Sequence, residues 1–270
     1  MNYPILGEKT ALIMGVINEN SIAWHIAAAM WDAGAHLIIT GQNQEQLDKR
    51  VKPLVATLSP ALQSVEIFPC DVSSDEEINR LVTRCRQTDR QFGLEVLVHS
   101  IAYAPREAMI GRFMEVTSRE AFRQTMDVSV YSLIGVTRAF KPYLRSGASV
   151  ITMTYVASQV VIPNYNVMGL AKAALECGVR YLADDLGQDG IRVNAISAGP
   201  QNTLAARGIP GFRKMHASND QRTPLGKSAD QSDVASVAVF LASSAAAAIT
   251  GQVLYVDAGP SIRGIQVVEK

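Results

Sequence analysis

The chain has 270 residues, of which 48% are hydrophobic, a length and composition typical of one α/β domain with a substantial core. Its 25 basic and 25 acidic residues balance, so it lacks the basic excess of most nucleic-acid and membrane-surface binding proteins. We therefore expect a single domain over residues 1–270 with small or local partners, binding no nucleic acid and no membrane.

The cysteines and the N-terminal residues indicate the cellular compartment in which the protein is expected. Cys70, Cys85 and Cys177 form no C-x-x-C pair, which is typical of a reducing environment and offers no metal site. The first residues lack the basic and apolar regions of a signal peptide. The uncharged run 234–250 is rich in alanine and serine and is closed by Gly251, which favours a buried helix and a turn over a membrane span. We expect a cytoplasmic protein whose cysteines are packing residues.

The beginning of the chain predicts a strand, loop, helix and strand. Thr10–Met14 and Leu37–Thr40 are apolar strand candidates, and Ser21–Ala33 has the spacing of an amphipathic helix. The G-x-G-x-x-G pattern is missing, yet Gly15 permits a tight turn after the strand. The first N–H groups of the helix, with the Ser21 hydroxyl, could receive a pyrophosphate. The alternative is an ordinary capped helix.

The residue after the second strand bears on coenzyme choice. An acidic residue there would hold a ribose 2′-hydroxyl and an arginine a 2′-phosphate, but this chain has Gln42, with Lys49 and Arg50 well downstream. This favours NADH over NADPH. Asp71, after the third strand, could accept a hydrogen bond from an adenine amino group; alternatively it caps the following helix.

The remaining pattern predicts a doubly wound, Rossmann-like parallel sheet with helices on both faces. Small residues after the fourth strand, at Ser100–Ala104, would let a cofactor approach the backbone. The later elements are a long helix near 119–144 and a helix near Ser232, with the strands Val65–Pro69, Glu95–Ile101, Ser149–Tyr155, Ile191–Ser197 and Gln252–Val256.

A tyrosine and a lysine suggest chemistry. We predict a helix over Tyr165–Leu186 with Asn164 as its N-cap. Lys172 follows Tyr165 by seven residues, about two helical turns, so both lie on one stripe. An ammonium near a phenol lowers the tyrosine pKa and can hold sugar hydroxyls, which makes Tyr165 a candidate proton donor. By itself such a pair is more often a chance spacing, with the tyrosine packed and the lysine solvated. The helix is apolar on more than one side, which suggests burial by a partner subunit.

Residues 201–227 form a long connection between the sixth strand and the last helix. Connections of this length are often lids or binding segments. The connection is locally basic, with a single acid, Asp220, so an acidic partner could dock there, although a solvated face would look the same. Its cations are Arg207, Arg213, Lys214, Arg222 and Lys227.

The chain resembles the short-chain dehydrogenase/reductases and, within them, the NADH-dependent enoyl-acyl-carrier-protein reductases of bacterial fatty-acid synthesis. The motifs that carry the resemblance run nearly end to end. They are Gly15 with Ser21-Ile22-Ala23, Cys70-Asp71-Val72, His99-Ser100-Ile101-Ala102, IPNYNVMGLAKA at 162–173, RVNAISAGP at 192–200, and TLAARGI with FRKM between 203 and 215.

The resemblance implies roles for particular residues. Tyr165 and Lys172 would be catalytic, with Tyr155 beside the thioester, and residues 204–215 would form the lid within the 201–227 segment. The acyl pocket would be lined by Ala104, Tyr155, Met168 and Phe212. NADH would be contacted by Gly15, Ser21, Ile22, Gln42, Asp71, Val72, Ser100, Ile101, Ala102, Lys172, Gln201, Thr203, Leu204 and Ala205. The substrate would be a trans-2-enoyl thioester on acyl carrier protein, and the assembly a homotetramer.

Departures from the family pattern bear on the substrate more than on the fold. Gln201-Asn202 stand where an aliphatic and a basic residue are usual, Pro210-Gly211 precede Phe212, and 257–260 read DAGP in place of a D-G-G-aromatic end. Two other functions remain open. A carbonyl reductase of the superfamily should show serine with Y-x-x-x-K, which this chain lacks, and a non-catalytic dinucleotide-binding module would not need Tyr155, Tyr165 and Lys172 together.

Overall fold

A computed structural model describes residues 5–58, 65–89, 91–203 and 222–263. Within these residues seven strands form one parallel sheet in the order β3-β2-β1-β4-β5-β6-β7. The order reverses between β1 and β4, where a parallel sheet opens a crevice at its carboxyl edge. The strands are β1 Thr10–Met14, β2 His36–Gly41, β3 Val65–Pro69, β4 Leu94–His99, β5 Leu144–Thr154, β6 Arg192–Ala198 and β7 Val253–Val256.

Helices cover both faces of the sheet, as the sequence predicts. They are α1 Ile22–Asp32, α2 Gln44–Gln46, α3 Lys52–Leu58, α4 Asp75–Thr88, α5 Phe113–Val116, α6 Arg119–Met126, α7 Ser132–Phe140, α8 Val167–Gly187 and α9 Gln231–Ala242. In the described part of the chain, no helix is long and apolar enough to cross a membrane.

Two apolar clusters sandwich the sheet, because successive strand residues point to opposite faces. On one face Ile13 and Ile39 pack with α1 and α9. On the other, Leu12 and Met14 pack with α4, α7 and α8. Cys70 and Cys85 lie in this second cluster, and burial raises the pKa of each thiol to about 12, which supports their interpretation as packing residues.

The structure corrects three sequence predictions. The long helix expected at 119–144 ends early, at Phe140, and contains a π-helical turn at Asp127–Tyr131 between α6 and α7, while β5 already begins at Leu144. The helix expected from Tyr165 begins at Val167, with Asn166 rather than Asn164 at its N-cap. The fourth strand ends at His99, two residues early, so Ser100 and Ile101 lie in the following loop.

Candidate active site

Gly15 brings the loops after β1 and β4 almost into contact at the crevice. Its φ of +99° favours glycine, and a Cβ there would lie 2.1 Å from the Ser100 carbonyl oxygen. The Ser100 N–H donates to the Met14 carbonyl at 3.1 Å, which fixes this approach. No residue with a side chain fits at position 15 without displacing the Ser100–Ala104 loop.

Ser21 organises the loop after β1. Its buried hydroxyl accepts hydrogen bonds from the N–H groups of Ile17 and Asn18, at 3.1 and 3.0 Å. The hydroxyl is therefore already occupied, and it does not cap α1, which begins at Ile22 without a side-chain cap. An anion at this helix start would be bound mainly by backbone N–H groups.

Gln42 and Asp71 meet at the carboxyl ends of β2 and β3. The Gln42 side-chain amide donates to Asp71 Oδ2 at 3.1 Å, while Asp71 Oδ1 accepts from the Ser73 N–H and hydroxyl at 2.9 and 2.7 Å. Burial raises the pKa of Asp71, but these hydrogen bonds outweigh it and leave the pKa below its ordinary value. The helix-cap interpretation of Asp71 is wrong, because Ser74 caps α4 by accepting from the Glu77 N–H. Val72 beside this pair is buried.

The loop after β4 is tied to the start of α8 by Ser129, which sequence reasoning missed. The Ser129 hydroxyl accepts from the Tyr103 N–H at 2.9 Å and donates to the Tyr103 carbonyl at 3.0 Å. It also lies 3.9 Å from the Met168 sulfur. Ala104, expected in the acyl pocket with Met168, packs against a small apolar cluster that includes Val167. Ala102 is exposed and Ile101 half-buried along the same loop.

Tyr165 lies in a strained turn directly before α8. Asn164 and Asn166 on either side have φ values of +63° and +42°, which L-residues other than asparagine rarely adopt. The Asn166 side-chain amide donates to the carbonyls of Ala108 and Gly111, at 3.2 and 3.3 Å, and so fixes the turn to that segment of the chain.

The two tyrosines form an aromatic pair. The rings of Tyr155 and Tyr165 are 5.2 Å apart between centroids and inclined at 62°, an edge-to-face arrangement. Burial raises the pKa of Tyr165, and the neighbouring Tyr155 raises it further. The expectation that Lys172 lowers this pKa is therefore wrong: desolvation dominates. Burial also raises the pKa of Tyr155, to about 12, against a lowering by Arg222. Both phenols are protonated at neutral pH and can donate.

Lys172 is buried on α8 against the end of β5. Its ammonium donates to the Met153 carbonyl at 2.8 Å, and the side chain is 5% exposed. Burial lowers its pKa to about 8, while the nearby carboxylate of Glu176 opposes that effect. Lys172 therefore carries its charge at neutral pH and loses it slightly above.

Glu176 is a buried acid that sequence reasoning missed. Thr154 donates to one carboxylate oxygen at 2.7 Å and Gln159 to the other at 3.1 Å. It follows Lys172 by four residues on a helix whose buried side is otherwise apolar, and this spacing could have identified it as the counter-charge of the lysine.

His99 ends β4 next to this group and is completely buried. Its ring nitrogens lie 2.8 Å from the Ser132 hydroxyl and 3.3 Å from the Thr152 hydroxyl. Burial, and then the charge of Lys172, lower the pKa of His99 to about 3, so the ring is neutral. It acts as a hydrogen-bonded support beneath the crevice.

The carboxyl end of β6 carries the next predicted residues. Gln201 is buried, and its side-chain amide donates to the Ala229 carbonyl at 2.9 Å, while the Thr203 N–H donates to the Gln201 carbonyl at 2.8 Å. Leu204, Ala205 and Phe212, and most of the expected lid at 201–227, lie outside the described residues.

Comparison with known proteins gives the family. A sequence profile described as Enoyl-(Acyl carrier protein) reductase matches residues 15–261. The enoyl-acyl-carrier-protein reductase (NADH) of Nostoc sp. is 44% identical over 259 residues, covering 95% of this chain and 98% of the relative.

Two crystal structures agree with that match. The enoyl-acyl-carrier-protein reductase (NADH) of Aquifex aeolicus superposes with a TM-score of 0.90 at 43% identity, covering 97% of this chain and 100% of the other. The Bacillus cereus enoyl-acyl-carrier-protein reductase, in complex with NADP+ and an indole naphthyridinone, gives 0.92 at 41%, covering 97% and 99%. The chain belongs to the enoyl-acyl-carrier-protein reductase family.

Proposed function

We propose that the chain reduces the carbon–carbon double bond of a trans-2-enoyl thioester with NADH. The observation that carries the proposal is the edge-to-face pairing of Tyr165 and Tyr155, together with the buried Lys172 ammonium on the carbonyl of Met153, two residues before Tyr155. A neutral phenol and a buried ammonium beside a dinucleotide crevice suit a reaction in which charge develops on a carbonyl oxygen.

The residues present fit a dinucleotide. The close approach at Gly15, the uncapped start of α1 and the Gln42–Asp71 pair follow β1, β2 and β3 at the carboxyl edge of the sheet, where such cofactors bind. When bound, NADH supplies a hydride for the β-carbon of the substrate. Lys172 has donors beyond the one used by Met153, and we assign them to ribose hydroxyls. The remaining contacts expected of Ser100, Ile101, Ala102, Gln201, Thr203, Leu204 and Ala205 belong to the same proposal.

Tyr165 is the donor to the thioester oxygen. As the β-carbon accepts hydride, negative charge develops on that oxygen as an enolate, and a hydrogen bond from the protonated phenol stabilises it. Because the pKa of Tyr165 is raised, the phenol is protonated at neutral pH and can donate this hydrogen bond. The enolate then takes up a proton that derives from solvent at its α-carbon, which completes the saturated thioester. Tyr155 packs against the Tyr165 ring and limits its motion, and Ala104, Met168 and Phe212 line the acyl pocket.

The Gln42–Asp71 pair supports NADH as the preferred coenzyme. The ionised Asp71 carboxylate lies one hydrogen bond from the Gln42 amide, so a 2′-phosphate placed there would meet a negative charge. The same two groups can accept from and donate to a ribose hydroxyl.

Carrier, assembly and location complete the proposal. We assign acyl carrier protein as the carrier, docked on the cations of a lid at 201–227, chiefly Arg213 and Lys214. A homotetramer is supported by α8, which leaves Leu170 and Tyr181 43% and 75% exposed on the isolated chain. The free cysteines support a cytoplasmic location.

One assay separates this function from its rivals. NADH oxidation is followed with a short enoyl thioester and, in parallel, with a ketoacyl thioester of equal length. We expect turnover of the enoyl substrate alone. Reduction of the ketoacyl thioester would indicate a carbonyl reductase, and binding of NADH without turnover of either would indicate a non-catalytic module.

A further inference from the structure

A cleft of about 270 Å³ opens beside Tyr155, at the carboxyl ends of β6 and β7. Its apolar wall includes Val160, Ile162 and Pro260, and two guanidinium groups, from Arg222 and Arg263, line the same space. The cleft therefore combines an apolar surface with positive charge next to a residue of the proposed active site.

The acid beside this cleft, Asp257, is hydrogen-bonded to the turn after β7 and not to the two arginines. Asp257 is buried, and its two carboxylate oxygens accept from the N–H groups of Gly259 and Ser261, at 2.8 and 3.1 Å. It therefore fixes the turn after β7. Within the described ranges, neither Arg222 nor Arg263 forms an ion pair with a carboxylate. Both side chains belong to exposed residues and are accessible to a ligand.

Arg222 also lies within electrostatic range of Tyr155. Its positive charge lowers the pKa of that phenol, against the stronger effect of burial. A ligand group bound by Arg222 would consequently lie beside Tyr155, the residue placed next to the thioester in the proposed function.

We propose that Arg222 and Arg263 bind the phosphate of a phosphopantetheine arm, the group shared by carrier-protein and coenzyme A thioesters. This inference rests on the proposed function, since it takes the thioester to lie beside Tyr155. The arm is uncharged between sulfur and phosphate and carries a branched apolar segment, which matches the wall formed by Val160, Ile162 and Pro260. Arginine is suited to the phosphate because its planar fork presents two parallel N–H donors to two oxygens.

The test compares enoyl thioesters of one acyl chain on four carriers: pantetheine, 4′-phosphopantetheine, coenzyme A and acyl carrier protein. The enzyme is wild type, the double variant Arg222→Gln/Arg263→Gln, or the control Arg80→Gln. Arg80 is an exposed arginine on α4 that pairs with Glu76, and it lies outside the cleft. The measured quantity is kcat/KM for each substrate at low and high salt.

The proposal requires a selective effect. We expect the double variant to lose about tenfold in kcat/KM for the three phosphorylated substrates, the scale of one lost charge-assisted hydrogen bond, and to keep wild-type kcat/KM for the pantetheine thioester. Arg80→Gln should match wild type with all four. Added salt should reduce the wild-type preference for 4′-phosphopantetheine over pantetheine, because the interaction is partly exposed.

Three results would overturn the inference. Equal losses on all four substrates would mean that the arginines support the fold or the chemistry. A loss confined to acyl carrier protein would mean that they contact the protein surface and not the phosphate. Unchanged values for every substrate would remove them from the substrate site. Failure of the proposed function is distinguishable, because the wild-type enzyme would then reduce none of the four, including the phosphate-free thioester.

Discussion

The ammonium of Lys172 is held 2.8 Å from the carbonyl of Met153, which lies on β5 two residues before Tyr155. This contact directs the lysine under the crevice at the cost of burying its charge, which lowers its pKa to about 8. Glu176, buried one helical turn further on, opposes that shift. The position and the charge of Lys172 are therefore set by different neighbours, and can be tested separately.

We predict that Glu176→Gln weakens NADH binding at mildly alkaline pH. The pKa of the buried Lys172 is lowered, so its charge is present below about pH 8 and lost as the pH rises through that value. Removing the Glu176 carboxylate lowers the pKa of Lys172 further, so Lys172 loses its charge at a lower pH. A fall of about one unit would reduce the charged fraction at pH 8 about fivefold. His99 stays neutral throughout this range.

Titration of NADH fluorescence between pH 6 and pH 9 measures the effect, with the exposed Glu76→Gln as the matched control. NADH affinity should fall with a midpoint at the same pH in the wild type and the control. The midpoint for Glu176→Gln should lie at a lower pH. Superimposable curves for all three would show that Glu176 does not set the charge of Lys172.

We predict that Tyr165→Phe binds NADH normally but loses roughly 10²-fold or more in kcat, because the donor to the developing oxyanion is removed. Tyr155→Phe keeps the ring contact at 5.2 Å and should cost much less. Steady-state kinetics with an enoyl thioester, together with NADH binding, measure both. Wild-type turnover by Tyr165→Phe would exclude Tyr165 as the donor to the oxyanion. A large loss of kcat in Tyr155→Phe would assign that role to Tyr155.

The strands were largely predictable because their patterns are local. The bounds of β1 and β3 agree with the sequence prediction, and the helices lie on both faces as expected. The long helix was predicted with its end too late and without the π-helical turn at Asp127–Tyr131, which its period does not reveal. That turn contains Ser129, whose hydrogen-bond partners are in the Tyr103 loop. We therefore attribute the π-helical turn to a tertiary contact and not to the local sequence.

The sequence identified Tyr155 and Tyr165, which the structure brings into contact, but it did not reveal the electrostatics around them. Asn164 and Asn166 are equally good caps by type, and the choice of Asn166 depends on its bonds to Ala108 and Gly111, more than fifty residues away. The spacing of Tyr165 and Lys172 suggested a lowered phenol pKa, whereas burial, which no spacing reports, raises it. Ser129 and Glu176 were missed for the same reason: their roles arise from contacts between elements.

We predict that Gly15→Ala abolishes high-affinity NADH binding and destabilises the protein. An alanine at φ +99° is strained, and its Cβ would lie 2.1 Å from the Ser100 carbonyl oxygen, so the two crevice loops must separate. Gly187→Ala is the control, since its Cβ would meet no atom within 4 Å and its φ is ordinary. Thermal unfolding with and without NADH should show a lower Tm and no stabilisation by NADH for Gly15→Ala only. Normal stabilisation in that variant would contradict a cofactor role for this turn.

We predict that the wild-type enzyme has a higher kcat/KM with NADH than with NADPH, and that Gln42→Arg reverses or narrows the difference. An arginine there would supply a cation for the 2′-phosphate and would neutralise Asp71. The control is Gln44→Arg. Gln44 is exposed, lies two residues after Gln42, and its side chain donates a hydrogen bond to Asp48. Equal efficiency of the two coenzymes in the wild type would contradict the prediction and direct attention to Lys49 and Arg50.

Finally, we predict that His99 contributes to acid sensitivity of the fold. Its pKa is about 3 in the folded protein and about 6.5 when exposed, so between these values only the unfolded chain takes up a proton. Unfolding is therefore favoured as the pH falls from about 6.5 towards 3, and one such group costs about 2 kcal/mol by pH 5. His99→Gln retains a polar side chain beside Ser132 and Thr152 but cannot titrate, so its free energy of unfolding should fall less between pH 7 and pH 5 than that of wild type. The exposed His36→Gln should behave as wild type. Denaturant unfolding at the two pH values measures the difference, and an equal loss in wild type and His99→Gln would assign the acid sensitivity to other groups.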